Sequence, residues 1–476
     1  MGGMTVVKIN AITVQPDSGD ELAQRFAARA GAVDDADGFE GFELLKPTDD
    51  RTQWLVVTRW RDEAAFEAWT SSPGVRCVPD PTLPADVRRA VDALAPELVE
   101  LRRDLHAHPE LAWSETRTTA LLAERLAAAG VRTTAVEPTG LLAEVGPVDG
   151  PVVALRADLD ALPVDDLTSD PWRSGVAGVA HACGHDVHTV GLLGAVLALS
   201  DVADRLPLRV RAVFQPAEEV MPGGSHRAIE QGALDDAVAI FTVHCDPGVD
   251  VGSIGLREGP ITGAADALEV RLSGTGGHTS RPHLTQDLTF ALAKVLTEVP
   301  AVLSRRFDPR AGVSVVWGAV SAGSAMNVIP ASGRALGTVR TLDPVAWAEA
   351  EAVVREVVAA VVAPYGVRCE VGYVRGVPPV VNDAVATAVI HRAAADLLGE
   401  DAVRTTPQST GGEDFAWYLE HVPGAMARLG TRAPGGPTYD LHQGDLRVDE
   451  RAVATAAALL AGVALGAMGE PDITDR

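Results

Sequence analysis

Between Val152 and His244 the chain carries three short, largely apolar runs, and each ends in ionisable side chains. Val152–Ala157 runs into Asp158 and Asp160, Arg209–Phe214 into Gln215-Pro-Ala-Glu218-Glu219, and Ala237–Val243 into His244. Near-continuous apolar runs of this length predict strands buried in a parallel sheet. Ligands of open α/β sheets bind outside the carboxyl ends of the strands, so three such ends predict one shared site. A helix is expected over about Asp86–His106, ahead of these alternating β and α segments.

From residue 266 the period changes. Leu268, Val270 and Leu272 alternate with Glu269 and Arg271, as in a half-buried strand. A helix (Asp287–Val299), strands near Val313–Ala319 and Ala335–Thr341, a long helix (Ala346–Val362) and a strand (Arg368–Val374) complete a βαββαβ order, the ferredoxin-like pattern. Helix and loop signals resume after residue 375. Residues 266–374 therefore read as an α+β unit inserted in an α/β domain built from 86–265 and 375–476. Residues 1–78 read as a further ferredoxin-like α+β unit: strand Val6–Val14, helix Asp20–Ala30, strands Phe39–Leu45 and Trp54–Trp60, helix Glu63–Thr70. The proline- and glycine-rich segment SSPGVRCVPDPTLP leads from it, with a linker at 79–85. The apolar run Ala452–Gly469 is alanine-rich with glycines at 462, 466 and 469, which predicts a buried C-terminal helix in preference to a membrane span.

Composition narrows the function classes. The chain has 476 residues with 40 Lys+Arg against 65 Asp+Glu, a formal charge of −25, and only Lys8, Lys46 and Lys294 as lysines. Such a surface repels phosphate backbones and anionic lipid, so neither nucleic acid nor membrane is expected as a partner. Four scattered cysteines (Cys77, Cys183, Cys245, Cys369) make no disulfide framework and favour a reducing, cytoplasmic setting. The first residues lack the pattern of a signal peptide, and Val6 stands where a myristoylation signal requires Ser or Thr.

The densest chemistry is His181-Ala-Cys183-Gly-His185-Asp186-Val-His188-Thr. On extended backbone Cys183 and His185 leave the same face, and thiolate and imidazole suit zinc and its neighbours. With Glu219 and His244, four candidate metal ligands come from three segments. Adjacent Glu218 and Glu219 repel each other at a strand end. Metal coordination by one would relieve the repulsion and leave the other to handle protons.

From about Asp86 onward the chain resembles the amidohydrolase branch of the dinuclear-metal aminoacylase and carboxypeptidase family, with its hippurate and indole-acetyl-amino-acid hydrolases. The likeness recurs in order: LRRDLHAHPEL (101–111), LRADLDALP (155–163), HACGHDVHT (181–189), FQPAEE (214–219), GGHTSRPH (276–283), MNVIP (326–330), GTVRTLD (337–343) and GGEDFAWY (411–418). The resemblance implies hydrolysis of the amide of an N-acyl amino acid, a small-molecule substrate, and a homodimer formed through the inserted unit. It implies two divalent ions per chain (zinc, manganese, cobalt or nickel), held by Cys183, His185, Glu219, His244 and His442. By the same likeness Glu218 is the general base, Asp160 orients a ligand histidine, and His278, Asn327 and Arg340 contact the substrate carboxylate or the oxyanion. Departures from the pattern are Val187 for glycine, Thr410 for methionine, Cys245 for valine, and Asp-Leu-His-Gln around His442. Of the other histidines, His188 and His283 are expected to line the cleft.

Residues 1–78 resemble the antibiotic-biosynthesis-monooxygenase superfamily and its haem-degrading members, through VVKINAI (6–12), FEGFELLKP (39–47) and VVTRW…EAAFEAW (56–69). Asn10 and Trp69 match two residues of the haem site in that group. Haem iron also needs an axial ligand. Val78 occupies the expected place, beside Cys77, and no histidine precedes His106. The alternative function is accordingly haem binding or haem-degrading oxygenase activity in this unit, against an assembly or ligand-sensing role.

Overall fold

The computed structural model describes residues 5–13, 36–47, 53–70 and 82–474. The chain divides into two units, 1–78 and 79–476. In the first, strands β1 (Val6–Thr13), β2 (Phe39–Leu45) and β3 (Gln53–Trp60) form an antiparallel sheet in the order β1-β3-β2, followed by helix α1 (Glu63–Thr70). Trp60 is fully buried, with edge contacts to Phe39 and Phe66 at ring separations of 5.2 and 5.7 Å. Val7, Ile9 and Leu45, registered with Arg59, Val57 and Leu55, are exposed on one face, and Phe42, registered with Thr58, lies on the other. The expected helix at Asp20–Ala30, Cys77, Val78 and the side chains of Asn10 and Trp69 lie outside the described residues.

The second unit begins with helices α2 (Leu83–Ala107) and α3 (Thr116–Ala128), then strands β4 (Arg132–Ala135), β5 (Leu141–Val145) and β6 (Val152–Asp158). Helix α4 (His185–Ser200), β7 (Arg209–Gln215), α5 (Gly224–Glu230), β8 (Ala237–Asp250) and β9 (Ile254–Leu256) follow. The chain then leaves for a separate four-stranded sheet. Its elements are β10 (Ala264–Ser273), the short β11 (Gly277–His278), α6 (Leu288–Arg306), β12 (Ser314–Ala322), the short β13 (Val328–Ile329), β14 (Ser332–Thr341), α7 (Pro344–Val362) and β15 (Arg368–Val377). It returns through α8 (Ala384–Leu398), β16 (Val403–Thr405), α9 (Ala416–Leu419), β17 (Gly424–Arg432) and α10 (Arg451–Met468).

The main sheet has eight strands in the order β16-β9-β17-β8-β6-β7-β5-β4. Its centre, β17-β8-β6-β7, is parallel. Strands β6 and β7 are buried at every position, as continuous apolar runs require. The smaller sheet is antiparallel, in the order β12-β14-β10-β15, and packs with α6 and α7 around its own core of Leu268, Val270, Val295, Val339, Val354 and Val358.

Helix α4 is apolar on all sides and buried from His185 to Leu199, the mark of a helix sandwiched within a core. Helices α2 and α10 pack on it. Close approach depends on Gly191, where a Cβ would stand 2.6 Å from that of Ala456 in α10. The apolar run at the end of the chain is thus an internal helix.

Candidate metal centre

The carboxyl ends of β6 and β7 and the middle of β8 lie side by side, because β6 pairs with both neighbours. The sequence led us to expect β8 to stop at His244, but it continues to Asp250. Cys183 and His185 also differ from expectation, since they do not lie on extended backbone. Gly184 between them is left-handed (φ 86°) and His185 opens α4. A Cβ at Gly184 would come within 2.7 Å of the Cys245 sulfur. Cys245 itself is buried filler, its thiol 3.6 Å from the Gly184 carbonyl oxygen.

Five side chains converge here. The Cys183 sulfur is 3.6 Å from His244 Nε2. Glu219 Oε1 is 3.8 Å from His185 Nε2 and 3.3 Å from His442 Nε2. Cys183, His185 and His244 form one set whose donor atoms all lie within 4.8 Å of one another; Cys183, Glu219 and His442 form a second. Cys183 belongs to both. His185 Nε2 and Glu219 Oε1 are buried without a hydrogen-bond partner. Orphaned atoms of this kind are costly unless something completes them, and a cation facing nitrogen, oxygen and sulfur donors does so. The residues present therefore fit a pair of divalent ions.

Main-chain carbonyls set the imidazole tautomers. His185 Nδ1 donates to the Asp160 carbonyl (2.9 Å) and His244 Nδ1 to that of Cys245 (2.8 Å), leaving each Nε2 lone pair for the cluster. His442 reaches in from a strained backbone (φ 64°) pinned by its N–H to the Ala182 carbonyl at 2.7 Å. Its side chain stays 54% exposed, and the Glu219 carboxylate beside it raises its pKa. Burial opposes charge on His185, but Asp158 and Cys183 hold its pKa well above the ordinary range. Burial, aided by Arg428, pushes His244 well below it. The Cys183 thiol is driven up by burial. A bound cation reverses that drive.

Asp160 faces the ligand histidine His185 with both its carbonyl and its carboxylate, Oδ1 lying 3.4 Å from His185 Nδ1. Its carbonyl orients His185, while its carboxylate accepts the main-chain N–H groups of Glu218 (3.0 Å) and Glu219 (2.9 Å). That grip fixes the turn from which both glutamates project, and their carboxylate oxygens and a His185 nitrogen lie within 4.8 Å of one another. Glu218 turns towards Glu413 and Asp414, with carboxylate oxygens mutually within 4.8 Å. Burial first, then Glu413, Glu219 and Asp414, hold the Glu218 carboxyl well above its usual range.

Several residues of the site were not singled out from sequence. Arg156, fully buried, donates to Gln215 (2.9 Å), Asp158 (2.7 Å) and Asp414 (2.7 Å) and pairs with Glu413 at 3.1 Å. Burial pushes Asp414 up to about 7. Asp158 accepts from His188 Nδ1 at 2.6 Å, and His188 Nε2 accepts the Cys245 N–H at 2.7 Å. Both ring nitrogens of His188 are thus used and the residue is wholly buried, so it is internal scaffolding and lines no cleft. His283 is exposed.

Glu115 supports the turn ahead of the glutamates. Its carboxylate accepts the N–H of Ala217 (2.8 Å), whose φ is 55°, and the hydroxyl of Thr139 (2.6 Å). Replacing Glu115 with alanine strands both donors in a buried setting. The expected cost is about 1–3 kcal/mol, read by urea denaturation, with a fall in kcat as the glutamates lose their support. An unchanged midpoint would show that the turn holds without Glu115.

The residues expected to meet substrate lie on the smaller sheet and the short ladder beside it. His278 and Asn327 are neighbours across the β11–β13 ladder, where Thr279 N–H donates to the Asn327 carbonyl at 3.2 Å. Both are exposed, and among the described residues no hydrogen bond joins either to the cluster. Arg340, on β14, is half-buried and points its Nη1 at the Thr410 carbonyl (3.5 Å), ahead of Gly-Gly-Glu413-Asp414.

A mixed sheet with a two-set cluster of cysteine, histidine and glutamate at its strand ends, flanked by a buried carboxyl, defines a dinuclear-metal hydrolase architecture. Comparison with known proteins agrees: residues 154–466 match the Peptidase family M20/M25/M40, and the chain belongs to that family. Residues 5–77 match the Antibiotic biosynthesis monooxygenase family. A longer Rhodococcus jostii protein that bears a glutamate–cysteine ligase name is 49% identical over 75% of this chain, which spans only 45% of that relative's length. The N-acetyl-L-cysteine deacetylase of Bacillus subtilis is 35% identical over 85% of this chain and 96% of its own. Among solved structures, a dinuclear metal binding peptidase of the M20 family from Bacillus subtilis superposes with a TM-score of 0.70 at 33% identity, covering 79% of this chain and 99% of its own.

Proposed function

We propose that the chain hydrolyses the amide of an N-acyl amino acid, releasing a carboxylic acid and a free amino acid. The observation that carries this reading is the pair of orphaned donors, His185 Nε2 and Glu219 Oε1, set among Cys183, His244 and His442 with the Glu218 carboxyl alongside. The deacetylase relative from Bacillus subtilis supports the same reaction class.

Cys183, His185, His244, Glu219 and His442 would hold two divalent ions, with zinc, manganese, cobalt and nickel all compatible with a mixed sulfur, nitrogen and oxygen set. When bound, the ions supply Lewis acidity for water and for the acyl carbonyl. Glu218 takes a proton from the attacking water as the C–O bond forms at the acyl carbon. It then passes that proton to the amide nitrogen as the C–N bond breaks. Arg340, His278 and Asn327 contact the amino-acid carboxylate or the developing oxyanion. Asp160 holds the turn that carries Glu218 and Glu219 through their main-chain N–H groups. Residues 266–374 serve as the dimerising and covering unit, and the scarcity of cysteine supports a cytoplasmic setting.

The test is amino-acid release from N-acetyl, N-benzoyl and long-chain N-acyl amino acids by the metal-loaded protein. Release from at least one class is expected. Silence across all three, with two metals per chain measured, would overturn the reading.

A further inference from the structure

Five arginines are buried among the described residues: Arg102, Arg156, Arg209, Arg211 and Arg428. Four have carboxylate partners. Arg102 pairs with Asp186 at 2.7 Å, Arg156 with Asp158 and Asp414, Arg209 with Asp236 at 2.9 Å, and Arg211 with Glu144 at 2.6 Å. Arg428 is 8% exposed, and among the described residues its guanidinium has neither hydrogen bond nor ion pair. A buried cation without a partner carries an uncompensated desolvation cost. Burial lowers the pKa of Arg428 accordingly, against the opposing pull of Asp246, Glu413 and Cys183.

Its placement says what completes it. Arg428 on β17 is directly opposite His244 on β8, and paired residues of adjacent strands project from the same face. The guanidinium thus stands beside the His244 imidazole, which it helps to depress, at the edge of the Cys183 cluster. Guanidinium groups offer a planar fork matched to carboxylate. The amino-acid carboxylate already has a candidate in Arg340, which lies on the smaller sheet and borders the Gly-Gly-Glu413 loop.

We propose that Arg428 binds a second carboxylate of the substrate, so that the preferred substrates are N-acyl amino acids carrying a carboxylate in the acyl group or in the amino-acid side chain. The proposal deepens the hydrolase reading and rests on it. It adds a selectivity residue that Cys183, Glu218 and Arg340 do not supply.

Two pairs of substrates differing only in one carboxylate test it: N-acetylglutamate against N-acetylglutamine, and N-succinylalanine against its succinamoyl counterpart. The wild-type protein is expected to prefer the acidic member of at least one pair by roughly tenfold to a hundredfold in kcat/KM. In Arg428→Met that ratio is expected to fall to near one, and Arg428→Lys to restore part of it. Absence of preference in the wild type, or loss shared equally by both members, would overturn the proposal. Removing an unpaired buried charge relieves desolvation, so the methionine variant is expected to fold. Calorimetric titration with succinate reads the same site without turnover. Binding by wild type and not by Arg428→Met supports the proposal; equal or absent binding in both overturns it. Failure of all four substrates in metal-loaded wild type that is also silent on the N-acetyl, N-benzoyl and long-chain set would instead strike the hydrolase reading, with the succinate titration still deciding on Arg428.

Discussion

Replacing Glu218 with glutamine is expected to lower kcat by about 10²–10⁴-fold while both metals stay bound. Glutamine keeps the shape of the side chain and removes only the ability to accept and return a proton. The loop itself should survive, because Asp160 grips the main-chain N–H of residue 218 and not its carboxylate. None of the five proposed ligands is altered. The measurement is kcat beside metal content per chain. Full activity in the variant would remove Glu218 from the reaction, whereas loss of metal would make it a ligand.

The largest effect on stability is expected at Arg156. Asp158 and Asp414 make 2.7 Å hydrogen bonds to its guanidinium, and Glu413 lies 3.1 Å away. Those carboxylates are all buried, so no water replaces the lost partner. Arg156→Met is expected to destabilise the protein by about 3–5 kcal/mol, the usual result of breaking a buried ion network from one side. Arg156→Lys, which keeps the charge but not the fork, should fall between the two. Chemical denaturation checks both. A methionine variant as stable as wild type would mean that Asp414, whose pKa is already raised to about 7, accepts a proton at little cost.

Much of this centre was legible in the chain because strand ends carry their chemistry in sequence. The runs ending at Asp158, at Gln215 before Glu218-Glu219, and at His244 became neighbouring strands, as the period of the pattern required. The alternation around Leu268–Leu272 likewise marked a sheet with one buried face. Less legible was whatever depended on local handedness or on distant partners. The left-handed Gly184, which separates Cys183 and His185 across a helix start, follows from the Cys245 sulfur 61 residues away. His188 was misplaced because its two partners, Asp158 and the Cys245 N–H, come from different strands. Arg156 and Arg428 did leave a signal, as cations inside runs that are otherwise apolar, but only the fold shows that one is fully paired and the other is not.

The position of β17 has a consequence for how the molecule is made. That strand lies beside β8 in the middle of the eight-stranded sheet, yet residues 266–374 separate the two in the chain. Helix α10, which packs on α4 and α2, arrives later still. During synthesis from the N-terminus, β4 to β9 emerge as a sheet lacking β17, with the apolar faces of α2 and α4 uncovered, and they wait while the small sheet is made with a core of its own. Closure comes only with the final segment, through contacts of long sequence separation that fold slowly. Deletion of α10 should therefore yield an aggregating chain and not a smaller enzyme.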